Sequence, residues 1–410
     1  MTKRVVVTGS GVITSLGDNW AVFSDALKDK VSGIRRLPEW DCYPDLNTRL
    51  AGPVREFQSP SHYPRKKTRS MGRVSLMATR ASEMALTNSQ LLDHPVLASG
   101  NAGVAFGSST GSTDAIRDFG NMLVNHDMSN ITATTYIRMM SHTSPVNVGI
   151  FFGLKGRIIT TSSACTSGSQ AIGSAYEAIK YGKQTLMLAG GAEELCPTEA
   201  AVFDTLYATS IANDTPSRTP RPFDRNRDGL VIGEGAGTLV LEELAHARDR
   251  GAKIYAEVVG YGTNSDGGHV TQPNAATMGI AMDLALKDAG VSAEEIGYIN
   301  AHGTATDRGD IAESRATEKL FGGKTPISSL KGNLGHTLGA CGAIEAWACV
   351  EMMNDGWFAP TLNLENPDPE CGELDYIIGT GRTLDCEYIM SNNFAFGGIN
   401  TSLILKRWHA

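Results

Sequence analysis

The chain has no cysteine pair in a Cys-x-x-Cys spacing, and its cysteine count is odd: seven, at positions 42, 165, 196, 341, 349, 371 and 386. This argues against a disulfide framework and a structural zinc site, and it points to reduced thiols in a cytoplasmic protein. No apolar run approaches the ~18 residues that a membrane span needs. Three valines after Met-Thr-Lys-Arg give way to glycine too early for a signal peptide, so none is expected. Positive charge is short as well: 36 Lys and Arg stand against 44 Asp and Glu, a net charge of −8. A general nucleic-acid binder carries the opposite balance. Gly9-Ser10-Gly11 lacks the third glycine of a dinucleotide fingerprint, because Thr14 stands in its place. Gly233-Glu234-Gly235-Ala236-Gly237 precedes a strand, so it offers no helix N-terminus to a phosphate.

What is present is enough chain for a large core: 410 residues, 41% of them hydrophobic and 20% charged. That suits one big α/β unit or two halves. The β-branched runs predict strands at 4–8, 103–108, 158–161, 186–189 and 238–242. A turn at Gly9-Ser10-Gly11 closes the first. The pattern then starts again, with strands at 256–260, 298–301, 327–329, 388–391 and 402–405 and helices at 275–289, 311–320 and 340–353. The order predicts two related halves, 1–250 and 251–410. Residues 35–70 read as irregular, with prolines at 38, 44, 53, 60 and 64.

One stretch stands out. Ile158-Ile159-Thr160-Thr161 runs as a strand would, and Ser162-Ser163-Ala164-Cys165-Thr166-Ser167-Gly168 follows as small polar residues around one cysteine. A helix begins after it. Cys165 is therefore expected between a strand end and a helix start, facing unpaired N–H groups and the positive end of the helix dipole. Both favour thiolate, the nucleophilic form. A cysteine at such a junction is otherwise simply a small buried residue. The weight shifts because His302 and His336 lie in two downstream Gly-rich turns, 300–306 and 331–339, also at strand ends. Sheets of this kind bind ligands at their strand C-termini, and all three residues fall there.

A second local feature is the basic cluster Arg65, Lys66, Lys67, Arg69 and Arg73, just before a helix predicted over 71–92. Positive charge is unfavourable at a helix start. The cluster reads either as a solvated face or as a docking patch for an acidic partner.

With these residues in place the chain resembles the β-ketoacyl-acyl-carrier-protein synthases, in particular the elongating type with a Cys-His-His site. The resemblance rests on Ser163-Ala164-Cys165-Thr166-Ser167-Gly168, on His302-Gly303-Thr304-Ala305-Thr306 with Gly309-Asp310, on Lys331-Gly332-Asn333-Leu334-Gly335-His336, and on Asn393-Phe394-Ala395-Phe396-Gly397-Gly398-Ile399-Asn400. Starter-condensing relatives resemble a Cys-His-Asn site, whereas His336 follows Gly335 here. The resemblance implies the α/β thiolase fold, with duplicated halves in five αβαβα layers. It implies a homodimer, or a heterodimer with a related subunit, acting with an acyl carrier protein and without nucleic acid or membrane.

The same resemblance implies roles. Cys165 would carry the acyl chain, His302 and His336 would stabilise an enolate, and Lys331 would support them, with Glu345 and Asp310 as supporting groups. The N–H groups of Cys165 and Phe396 would form an oxyanion hole, with the Phe396 side chain as a gate. Thr304, Thr306 and Thr271 would hold a pantetheine arm, and Arg65, Lys66, Lys67 and Arg69 would dock the carrier. No catalytic metal or organic cofactor is expected, although the resemblance implies a structural monovalent cation near Asn300, Glu345, Ser391 and Asn392. Ala395 stands where glycine is common and is expected to stiffen the gate. Asn393 stands where serine is common, and Ile399 where threonine is usual. Two other readings stay open: a thiolase acting on coenzyme A esters, and a non-catalytic partner that shapes a product pocket. Acyl chain length, and fatty-acid versus polyene or polyketide elongation, stay open too.

Overall fold

A computed structural model describes residues 2–409. Its centre is one eleven-stranded sheet. In chain order the strands are β1 (Val5–Ile13), β2 (Ala102–Gly107), β3 (Ile158–Thr160), β4 (Leu186–Glu193), β5 (Gly235–Glu243), β6 (Ala256–Ser265), β7 (Ile296–Asn300), β8 (Pro326–Ser328), β9 (Asp375–Tyr376), β10 (Tyr388–Ala395) and β11 (Ile399–Arg407). Across the sheet they run β9-β8-β7-β10-β11-β6-β1-β5-β4-β2-β3. Read outward from the middle, β1-β5-β4-β2-β3 and β6-β11-β10-β7-β8 repeat one order. Each has two antiparallel pairings followed by two parallel ones. The two series meet where Val5–Val7 pair antiparallel with Ala256–Val258.

Gly9 and Gly11 are not a turn. β1 continues through them, with a shift of register at Thr8, and they serve the helix above. A Cβ on Gly11 would stand 2.2 Å from Ala81 O, and one on Gly9 2.6 Å from Ala85 O. Their bare backbone lets α1 (Arg73–Asn88) lie against the strand. The second series repeats the device: a Cβ on Gly262 would meet Ala281 O at 2.1 Å and one on Gly260 would meet Ala285 O at 2.4 Å, both on α5 (Ala275–Ala289).

The layers follow from which helix faces are apolar. α1 and α2 (Thr143–Phe152) cover the outer face of the first series; α5 covers that of the second, and α6 (Asp307–Phe321) packs on α5 and shares an apolar cluster with Ile299 and Ile327 through Ala312 and Ala316. On the inner faces of both series, packed on each other, lie α3 (Ser167–Lys180) and α7 (Cys341–Asp355). Twelve of the fifteen residues of α7 are buried, among them Ile344, Trp347, Val350 and Met353, because it meets protein on all sides. Burying one large aliphatic or aromatic side chain contributes roughly 1.5–3 kcal/mol, so this helix alone anchors both halves. The two central helices touch at glycines: a Cβ on Gly168 would stand 2.7 Å from Ala343 N, and one on Gly342 2.6 Å from Ser169 N. That crossing holds Cys165 and Cys341 side by side, and Cys341 Sγ donates to Cys165 O over 3.2 Å.

Two helices, Thr113–Asn125 and Ala133–Met139, follow the second strand. One expectation changes here. The last two strands are longer than predicted. β10 and β11 form one hairpin, paired from Tyr388/Lys406 to Ala395/Ile399. Its tip is Phe396-Gly397-Gly398, and Gly397 and Gly398 take φ of 85° and 70°.

Candidate active site

Three loops converge on Cys165. Its own turn, Ala164–Thr166, links β3 to α3, and Ala164 takes φ +52°, a region that L residues seldom occupy. Short side chains hold the turn. Thr166 Oγ1 donates to Ser163 O and Ser167 Oγ to Ala164 O, both at 2.7 Å, while the Ser163 N–H donates to Ser167 Oγ over 3.0 Å. Cys165 is left 5% exposed, with the N–H groups of Phe396 and of Cys165 itself facing its sulfur.

His336 stands after the tight turn at Gly335, whose φ is +76°. Its main chain is tied both ways, N–H to Val231 O at 2.7 Å and O from the Gly233 N–H at 2.8 Å. The Leu338 N–H donates to Nδ1 over 3.3 Å, which leaves the ring proton on Nε2 by assignment from the network. Nε2 lies 3.0 Å from Cys165 Sγ. His302 follows β7, and the Glu313 carboxylate takes the N–H groups of His302 and Gly303, each at 2.7 Å. Asp310 Oδ1 takes those of Thr304 and Ala305 at 2.9 and 3.1 Å. The two imidazole rings meet edge to face, centroids 5.0 Å apart.

The charges around them are arranged by burial. Burial holds both imidazoles well below the usual histidine range, and the Lys331 charge pushes them further in the same direction. Both are therefore neutral N–H donors at ordinary pH. Burial opposes the ammonium of Lys331, which is 1% exposed, but Glu345 pairs with it directly and holds it protonated. Burial pushes Asp310 up to about 6 and Glu313 up to about 8, against the backbone N–H groups each accepts.

The sulfur departs from the sequence expectation. Burial pushes the Cys165 thiol up to about 11, more than Lys331 and the two N–H groups draw it down. A helix N-terminus alone does not make this thiol acidic, because the packing that builds the junction also removes water from it.

A cavity of about 630 Å³ opens from Cys165 to the surface. Cys165, His302, His336 and Phe396 line its inner end, and Thr304, Thr306 and Thr271 line its course. The Phe396 ring packs on Phe203, centroids 4.9 Å apart. The hairpin tip beneath it is tied to the cavity wall: the Gly397 N–H donates to Val270 O over 2.9 Å, and the Asp266 N–H donates to Gly398 O over 2.8 Å. Ala395 is an ordinary strand residue, so the cost expected from losing a glycine there does not arise. The positive φ angles belong to Gly397 and Gly398.

Known proteins are similar to this chain in sequence and in fold. The family model for the beta-ketoacyl synthase N-terminal domain matches residues 2–247, and that for the C-terminal domain matches residues 255–365. The chain belongs to the beta-ketoacyl synthase family. It is similar to the 3-oxoacyl-[acyl-carrier-protein] synthase 2 of Synechocystis, 38% identical over 99% of this chain and 98% of that one. A beta-ketoacyl synthase from Burkholderia phymatum superposes with a TM-score of 0.98 at 60% identity, covering 99% of this chain and 100% of that one. The ishigamide ketosynthase/chain length factor superposes with a TM-score of 0.91 at 32% identity, over 100% of both chains.

Within this ketoacyl synthase the remaining predicted residues divide. The basic cluster does not line the cavity. Arg65, Lys66, Lys67 and Arg69 are exposed on and beside the short helix Arg65–Thr68, where Lys67 Nζ donates to Phe151 O over 2.6 Å. Arg73 leaves the cluster altogether, turned inward to Glu234 at 2.8 Å. Near the implied cation site, Asn300 Oδ1 is buried without a partner, and Asn300 Nδ2 donates to Ser391 Oγ over 3.3 Å. Asn300, Ser391 and Glu345 offer the hard oxygen donors a monovalent cation takes, while Asn392 Oδ1 already accepts from Ser402 Oγ at 2.7 Å. Separately, the donor atoms of Cys165, His302 and His336 lie within 4.8 Å of one another, close enough for a soft metal ion to bind there.

Two residues of the site had no role in the sequence reading. Glu313 looks like one acid on a helix face until the fold aims it at the His302 turn. Asn393 showed only as a departure from serine. Its Nδ2 reaches Glu345 Oε2 at 2.7 Å and stands 3.4 Å from His302 Nδ1. Among the described residues no helix is long and apolar enough to cross a membrane.

Proposed function

We propose that this acyltransferase condenses an acyl group held on Cys165 with a malonyl group carried on an acyl carrier protein. The observation that carries the reading is the 3.0 Å approach of His336 Nε2 to Cys165 Sγ, with a second neutral imidazole edge-on beside it. Cys165 sulfur attacks the carrier thioester. The tetrahedral oxyanion is met by the N–H groups of Cys165 and Phe396, and the thiol proton leaves with the pantetheine sulfur. Malonyl-carrier then enters along Thr271, Thr304 and Thr306.

Breaking the C–CO₂ bond sends its electron pair to the thioester oxygen, where the Nε2–H groups of His302 and His336 stabilise the enolate. The enolate carbon attacks the acyl carbonyl, the C–S bond to Cys165 breaks with its electron pair on sulfur, which takes up a proton from solvent to restore the thiol, and the lengthened 3-oxoacyl chain leaves on the carrier. Lys331 and Glu345 keep the imidazoles neutral and in place. Donors that stay uncharged answer the new negative charge without having been shielded by an anion beforehand.

The halves 1–250 and 251–410 each supply part of this site, Cys165 from one and the histidines from the other. β3 is an edge strand with Ile158 48% exposed, and Ile150 beside it on α2 is exposed as well. An exposed apolar edge of this kind favours pairing with a second copy or a related subunit. Purified protein should decarboxylate malonyl-carrier and, given acyl primer, release 3-oxoacyl-carrier. No decarboxylation by the wild-type protein in either assay would defeat the reading. A chain active on coenzyme A esters alone would be a thiolase instead.

A further inference from the structure

Glu199 is a buried carboxyl that this chemistry leaves unused. It lies on α4 (Pro197–Asp204) and is 5% exposed. Both of its carboxyl oxygens are buried without a hydrogen-bond partner. The Cys196 N–H comes near enough to favour the anion slightly, but it does not reach hydrogen-bond geometry. Burial holds the group well above the usual carboxylate range, and the charges of Glu193, Cys196 and Glu194 push it the same way. Glu199 is thus a neutral acid, able both to donate and to accept.

Its neighbours say where it points in function. The buried face of α4 is Glu199, Ala200, Phe203 and Asp204. Ala200 and Phe203 pack in one apolar cluster with Cys165, Leu338, Ala395 and Phe396. On the other side, Glu193 binds Ser108 Oγ and the Ser109 N–H, each at 2.7 Å, and the Gly339 N–H at 3.0 Å. Glu199 thus stands on the helix that supplies Ala200 and Phe203 to the apolar bed around the nucleophile, within reach of the Glu193 charge, with both carboxyl oxygens unpartnered. Asp204, on the same helix face, is fully engaged by Asn47, Thr48 and Thr209. Two unmet oxygens on one buried carboxyl, beside the apolar bed of the nucleophile, point to a ligand atom that comes and goes.

We propose that Glu199 forms the polar end of the acyl subsite and hydrogen-bonds a hydroxyl or ketone oxygen carried by the chain on Cys165. The inference rests on the condensing function above. A neutral acid suits both oxygen types: it accepts from a hydroxyl and donates to a carbonyl. It also penalises a plain alkyl chain, whose binding leaves the acid buried and unpaired.

The test is acylation of Cys165, followed by intact mass, from carrier loaded with ω-hydroxyacyl or unsubstituted acyl groups over a series of matched lengths. Wild type should prefer the hydroxylated chain by ~10-fold or more in kcat/KM at one length, well inside what an unpaired buried group can enforce. Glu199→Leu should remove or reverse the preference, and Glu199→Gln, which still donates and accepts, should keep most of it. Glu199→Met stands in if the leucine variant does not fold. Equal acylation by both chains at every length in wild type, or a preference that survives in the leucine or methionine variant, overturns the proposal. Absence of acyl-Cys165 from any carrier in wild type would instead overturn the condensing function.

Discussion

Asn393 donates from Nδ2 to Glu345 Oε2 over 2.7 Å, and the same nitrogen stands 3.4 Å from Nδ1 of His302. One amide thus links the acid that holds Lys331 to the imidazole that faces the substrate. With a donor opposite Nδ1, the ring proton of His302 stays on Nε2. Asn393→Leu keeps the volume and removes the donor. It is expected to lower kcat for malonyl decarboxylation by about 10-fold, as groups that orient a functional side chain typically do, with KM little changed. Steady-state kinetics check this. An unaltered kcat would mean that His302 keeps its tautomer without help.

The thiol gives a pH prediction. With burial pushing Cys165 up to about 11, the thiolate fraction should rise tenfold per pH unit across the neutral and mildly alkaline range. Alkylation of Cys165 by iodoacetamide, followed by peptide mapping, should therefore show a unit slope from pH ~7 to ~9. A plateau below pH ~8 would mean that the helix N-terminus outweighs the lost water after all.

His302→Ala and His336→Ala should each slow decarboxylation by about 10²–10³, the usual cost of one lost donor at a developing oxyanion. They should differ in acyl transfer. Only His336 touches the sulfur, so His336→Ala should also slow acylation of Cys165, while His302→Ala should leave it nearly intact. Single-turnover acylation, measured beside decarboxylation, separates the two. Identical defects in both steps for both variants would contradict this division.

Lys331 and Glu345 are paired inside the core, each 2–3% exposed at the side chain. Removing one partner strands the other. Lys331→Met is expected to cost about 3 kcal/mol of stability, toward the lower end for a broken buried pair, because Glu345 can take up a proton instead. Adding Glu345→Leu should recover most of that loss while activity stays low. Denaturant titration of the three proteins tests it, and a double variant no more stable than the single one would refute it.

The parts of this site legible in sequence were those fixed by backbone chemistry. The junction around Cys165 and the Gly-rich turns at His302 and His336 announce themselves as strand ends, because small residues and positive-φ glycines are needed there. Side-chain partners across the fold were not legible. Glu313 meets His302 only because α6 folds back along β7, and Glu199 is an ordinary helix acid until its burial is known. Gly9-Ser10-Gly11 misled for a related reason. Glycine marks a turn when the chain bends and a close helix contact when it does not, and only the partner, α1, distinguishes the two. The acidity of Cys165 was misjudged because dipole and desolvation act on the same atom, and burial cannot be read from one strand–helix junction.

The basic patch yields the last prediction. Arg65, Lys66 and Arg69 are exposed and have no carboxylate within 4.0 Å among the described residues, whereas Lys67 is partly occupied by Phe151 and Arg73 is spent on Glu234. A chain of net charge −8 would repel an acidic carrier unless a local patch reversed the field. Lys66→Glu with Arg69→Glu replaces two attractive charges by two repulsive ones on that patch. Such rim charges act mainly on association rate, so KM for acyl-carrier should rise ~10-fold or more at low salt. A small thioester that needs no docking should be used at nearly the wild-type kcat. Salt should narrow the gap between the two proteins, because it screens the attraction that only the wild type has. If the double variant uses acyl-carrier as well as the wild type does at low ionic strength, the patch is a solvated surface and the carrier docks elsewhere.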